Sequence, residues 1–127
     1  MKTIVKSALI GATAIAAIIG VTATLTAPAQ ADATGARTEL GYSLALLQDG
    51  NFNAARAHAQ AAVKQDPQWG AAHAVLAKTF LALGDGVGAE SELGRAAAAG
   101  FDMSRGHQLL AEAWLLQGDA KRALAEA

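Results

Sequence analysis

LAKTFLALGDGVGA at residues 76–89 returns 34 positions later as LAEAWLLQGDAKRA at 110–123, and stands 34 positions earlier, more loosely, as YSLALLQDGNFNAA at 42–55. The alignment carries Gly50-Asn51 onto Gly84-Asp85 and Gly118-Asp119, Leu76 onto Leu110, Ala77 onto Ala111, Phe80 onto Trp114 and His73 onto His107. It also carries Ala55 onto Ala89 and Ala123. So many matches at one interval make the chain a repeat array, with the period of a helix-turn-helix unit.

Working outward from the turns, the apolar spacing has helical period. Leu40, Leu44 and Leu47 fall at i, i+4 and i+7 on one face, widened by Tyr42 and Leu46. Gly50 should end that helix, since glycine reaches the left-handed conformation at no steric cost, and the side chain of Asn51 is expected to cap the next one. The second helix, about 53–65, presents Ala55, Ala59 and Ala62 with Val63, which permits close approach of a neighbour. Asp66-Pro67 stops it, because proline disfavours helical geometry in the residue before it. The pattern restarts over 72–83, turns at Gly84-Asp85-Gly86, and descends through Ala89, Leu93 and Ala96 to Gly100. Ser104 is the expected N-cap of a helix to Gln117, followed by the Gly118-Asp119 turn and a last helix from about Ala120. At Ala127 that helix is about two turns short of its counterpart, so the chain is expected to be the N-terminal part of a longer array.

Upstream of the repeats lies a different composition. Lys2 and Lys6 open a stretch with no charged residue from Ser7 to Ala31, and Pro28 precedes the small-x-small sequence Ala29-Gln30-Ala31. This is the layout of an export signal cleaved after Ala31. The competing reading is an uncleaved inner-membrane anchor facing the periplasm, against which Gly11, Thr13, Gly20, Thr22 and Thr24 count as poor lipid-facing residues. Either places residues 32–127 outside the cytoplasm, periplasmic or secreted. Losing the two lysines lowers the basic count from 10 to 8 against 11 acidic residues, a net charge of -3 in place of -1. Scattered, mildly acidic charge offers no stripe for a phosphate backbone, so no nucleic-acid partner is expected. With no cysteine in the chain, disulfides, thiolate metal sites and a lipidated cysteine are excluded.

At these residues the chain resembles the tetratricopeptide repeat (TPR) family. Ala77 and Ala111 match its small first-helix position and Phe80 and Trp114 its large one. Ala55, Ala89 and Ala123, with Ala62 and Ala96, match the small second-helix positions, and Asp66-Pro67 matches the closing pair. Departures are Gly86 and Ala120 in place of the bulky Phe52, Phe101 in place of the closing proline, and Tyr42-Ser43 in place of Leu-Ala. Gly88 and Gly94 inside helices should each cost up to ~1 kcal/mol relative to alanine. The resemblance implies an all-α fold of helix-turn-helix repeats in a right-handed solenoid, behind an N-terminal signal helix. About two and a half units are expected, at 36–69, 70–103 and 104–127. The segment LALGDGVGAESELGRAAAAGFD is also similar to repeats of exported TPR proteins in Gram-negative envelope and exopolysaccharide systems.

By the same resemblance, a protein or peptide ligand would lie in a concave groove lined by the first helix of each unit. Carried over by repeat position, its residues are Arg37, Leu40, Leu44 and Leu47, then Ala71, Ala74, Lys78 and Leu81, then Arg105, Gln108, Glu112 and Leu115. Leucines for apolar burial and cations for carboxylates suit a peptide of some acidic character. Enzymatic chemistry has no comparable support. Ser43, Ser91 and Ser104 lack a paired base, and Gly84-Asp85-Gly86-Val87-Gly88 lacks the strand and lysine of a phosphate loop. His73 and His107 with Glu112 are too few for a usual metal set, so packed or hydrogen-bonded histidines are expected, with no metal or cofactor. Phe52, Trp69, Phe80, Phe101 and Trp114 read as packing residues. The function expected is a non-catalytic interaction scaffold; the alternative is the leading segment of a larger multidomain enzyme.

Overall fold

The computed structural model describes residues 33–126, all of whose regular elements are helices. The export signal, its cleavage at Ala29 and Ala31, and the alternative anchor lie outside the described residues. Helix α1 occupies 33–48, followed by α2 (Phe52–Gln65), α3 (Gly70–Ala82), α4 (Gly86–Ala98), α5 (His107–Leu116) and α6 (Ala120–Glu126). Among the described residues no helix is long and apolar enough to cross a membrane. Each helix from α2 onward packs on its chain neighbour, and α3 also touches α5.

The turns follow from glycine stereochemistry. Gly50, Gly84, Gly100 and Gly118 have φ of 77°, 78°, 86° and 79°. At Gly84 the amide donates to Leu81 O at 3.0 Å while the following amide of Asp85 reaches Phe80 O at 2.8 Å. Gly50-Asn51, Gly100-Phe101 and Gly118-Asp119 repeat this pair of bonds, which satisfies carbonyls that a helix end leaves open. The aspartates then open the next helix: Asp85 Oδ1 accepts from Gly88 N at 2.8 Å, and Asp119 Oδ1 from Arg122 N at 3.1 Å.

Two expected caps are corrected. Asn51 holds the N-cap position but its side chain makes no cap bond, so only its carbonyl serves, accepting from Ala55 N at 2.9 Å. A neutral amide oxygen is a weaker acceptor for a helix N-terminus than the carboxylates of Asp85 and Asp119. Ser104 is not an N-cap, because α5 begins at His107. Asp102 Oδ1 accepts from Ser104 N at 3.0 Å and winds 103–106 into a tight turn that delays the helix.

Small residues set the packing. Ala77, Ala89, Leu93 and Ala113 form one buried cluster, against which Phe80, Leu81, Leu109 and Leu110 pack; Leu40, Ala62 and Ala72 form another, under Val63, Trp69 and Val75. Alanine at the crossing points lets helix backbones approach closely. The sequence departures now have causes. Ser43 stands where later units have alanine, is fully buried, and donates to Ala55 O at 2.8 Å, tying α1 to α2. Gly86 replaces a bulky residue because a Cβ there would lie 2.4 Å from Ala113 O and 3.0 Å from Leu116 Cβ. The start of α4 therefore sits directly against the last turn of α5.

Candidate functional site

The first helices of the three hairpins bring part of the expected groove together. Between α1 and α3 a cavity of about 260 Å³ is lined by Leu44, Leu47, Gln48, Phe52, Lys78 and Ala82. Between α3 and α5 another, of about 210 Å³, is lined by Lys78, Leu81, Ala82, Leu109 and Glu112. The two adjoin at Lys78 and Ala82. Lys78 is exposed, and neither it nor Glu112 has an ion pair or hydrogen bond among the described residues. Two uncompensated charges of opposite sign thus border one hollow between apolar walls.

Other expected groove residues fall elsewhere. Leu40 is 7 % exposed and belongs to the α1–α2–α3 core, and Ala74 is equally buried, so neither offers contact area. Ala71 and Arg105 line a separate hollow of about 380 Å³ beside Trp69 and Phe101. Arg37, Gln108 and Leu115 are exposed. A larger cavity, about 550 Å³, lies between the ends of α2 and α4 with Lys64, His73 and Arg95 at its wall.

The histidines have partners that were not anticipated. His73 Nδ1 is hydrogen bonded to Glu92 Oε2 at 2.6 Å, its Nε2 donates to Pro67 O at 2.8 Å, and Arg95 Nη1 donates to the other oxygen of Glu92 at 2.8 Å. His107 Nδ1 pairs with Glu126, and His58 Nδ1 with Glu39 Oε2 at 2.6 Å. All three pairs join the two helices of one hairpin. In the 34-residue register Glu39, His73 and His107 share one position and His58, Glu92 and Glu126 another, so the first unit has the same pair with its members exchanged. That register was the available signal for these clasps. The Tyr42 ring lies 5.5 Å from that of His58.

This arrangement limits the chemistry. Both nitrogens of His73 are engaged, leaving none to take a substrate proton, and the Ser43 hydroxyl is spent on a helix carbonyl. Each of His73 and His107 is held by a carboxylate of its own hairpin, and no group of three or more His, Cys, Asp or Glu gathers among the described residues.

A polar knot joins the second and third hairpins. Gln117 Nε2 donates to Glu90 Oε2 at 2.8 Å and Gly86 O at 3.2 Å. Arg122 donates to Glu90 Oε1 at 3.1 Å and to Asp119 Oδ2 at 2.6 Å, with its guanidinium 5.1 Å from the Trp114 ring centre. The indole N–H of Trp114, then Gln117 and Arg122, hold the Glu90 carboxyl below its ordinary value. That N–H is buried without a partner at hydrogen-bond geometry, so its effect on Glu90 is one of proximity. Asp119 is lowered chiefly by Arg122, which it raises in turn, and Asp102 by bonds from Ser104.

None of the curated proteins matches the chain. The sequence profile described as "Tetratricopeptide repeat" matches residues 46–113, from the last turn of α1 into α5. This match spans more than half of the chain and follows the glycine-closed helical hairpins seen in the fold, and repeats of this kind typically serve as non-catalytic protein-interaction modules. The protein belongs to the tetratricopeptide repeat family.

Proposed function

We propose that the chain is a non-catalytic scaffold that works outside the cytoplasm and holds another protein in a concave solenoid groove, in envelope or exopolysaccharide assembly. The observation that carries this reading is the pair of adjoining cavities on α1, α3 and α5, apolar in their walls and centred on an unpaired lysine. A groove of this kind gives a partner both burial and a fixed charge contact. Export rests on the basic, then uncharged, then Ala-Gln-Ala layout of residues 1–31. The envelope setting rests on the similarity of residues 81–102 to exported repeats.

The test is charge reversal of Lys78, the cation shared by the two cavities, with site-specific photocrosslinking from Leu47 to capture partners in the periplasm. Loss of the crosslinked partner with unchanged helical circular dichroism is expected. Capture indifferent to the reversal would remove the groove from the proposal. N-terminal sequencing of the exported protein should begin at Asp32.

A further inference from the structure

Building on that reading, we infer that the partner segment is a helix presenting one apolar, one acidic and one basic side chain at i, i+4 and i+7. The chemistry comes from the order of groups across the face. Leu44, Leu47 and Phe52 wall the cavity between α1 and α3, and nothing charged lines it except Lys78. Lys78 also borders the next cavity, where Glu112 of α5 stands unpaired on the wall. Lys78 and Glu112 make no ion pair with each other, since no bridge within 4.0 Å joins them. A ligand that crosses the face from α1 to α5 therefore meets an apolar hollow, then a positive charge, then a negative one. Its own complementary order is apolar, acidic, basic.

The spacing argues for a helix. Neighbouring packed helices lie roughly 8–10 Å apart, which sets the distance from the first cavity to the second. A helical ligand rises about 1.5 Å per residue, so i and i+7 are separated by roughly 10 Å and share one face with i+4 between them. An extended strand presents alternate side chains on one face, so three of them at i, i+2 and i+4 spread over roughly 13 Å, beyond this distance. The helix brings all three groups to one surface within it.

Two 15-residue alanine-based peptides test this against the full chain by fluorescence anisotropy. One has Leu, Glu and Lys at i, i+4 and i+7; the other has Glu and Lys exchanged. The first should bind at least about tenfold tighter, and the K78E/E112K double variant should reverse the preference while its circular dichroism stays helical. Equal affinity of the two peptides overturns the inference, as does a preference that survives the double variant, or absence of binding by both at millimolar concentration. The outcome is separable from the broader proposal. If both peptides fail while reversal at Lys78 still abolishes partner capture, the groove stands and the helical motif falls. If that reversal leaves capture intact, the groove itself has failed.

Discussion

Replacing His73 with alanine tests the packing of the array at its most exacting point. The ring is 4 % exposed and bonds at both nitrogens, to Glu92 at 2.6 Å and to the Pro67 carbonyl at 2.8 Å. Losing the ring takes a bond from the buried Glu92 carboxyl, and leaving a buried charge uncompensated costs up to about 3–5 kcal/mol. Two features reduce that figure. Glu92 keeps its 2.8 Å bond from Arg95, and the vacated ring space opens onto the 550 Å³ hollow that His73 lines, so water can reach the carboxylate. We expect a loss of about 2–4 kcal/mol. The same change at His58 or His107, whose side chains are 39 % and 52 % exposed, should cost no more than about 1 kcal/mol. Urea denaturation followed by circular dichroism at 222 nm separates the three. A midpoint for His73→Ala within error of His58→Ala would refute the argument. So would a double-mutant cycle with Glu92→Ala that shows no coupling, because the two residues share one bond.

Glycine substitutions should divide by their surroundings. A Cβ on Gly94 meets nothing within 4 Å, so Gly94→Ala should raise stability by up to ~1 kcal/mol; on Gly88 it would lie 2.5 Å from Asp85 Oδ2, so Gly88→Ala should displace the cap and lower the melting temperature. Gly84→Val forces a branched side chain to φ of 78° and should cost at least about 1–2 kcal/mol by thermal denaturation, without selective loss of partner binding. Glu90, Asp102 and Asp119 are all held below their ordinary values in the fold, so they contribute stability above the ordinary carboxylate range that is lost as pH falls through their folded values. Amide protection factors should accordingly fall on α5 and α6 before α2 and α3 below about pH 4, and a uniform fall would argue against the local cause.

The turns were legible because they rest on a constraint that only glycine meets cheaply. A left-handed residue is needed at each hairpin end, so Gly50, Gly84 and Gly118 mark the register without any knowledge of tertiary contacts. The candidate groove was legible only in part. Leu40, Leu44 and Leu47 lie on one helical stripe and periodicity cannot tell them apart, yet Leu40 meets Ala62 and Ala72 while Leu44 and Leu47 border a cavity. What separates them is where α3 crosses α1, which depends on side-chain volume at several distant positions. The same limit hid the role of Gly86, whose absent side chain admits the end of α5.

The histidine clasps are a different case, since their signal is in the sequence but only as a relation between positions. Glu39 or His58 taken alone reads as part of a solvated helix face. Aligned at 34 residues, the first-helix position holds Glu, His, His and the second-helix position His, Glu, Glu, so every unit keeps an acid opposite a base even where the members trade places. A packing role for either side chain by itself would not require that exchange, because the two differ in shape and length. Complementarity does require it, since two carboxylates or two imidazoles at this distance would repel or leave a group unbonded. The pair, then, is the unit that joins the two helices of a hairpin, and burial sets its strength: slight at the outer hairpins, where water competes, and large at His73–Glu92, where the Pro67 carbonyl and Arg95 complete the bonding.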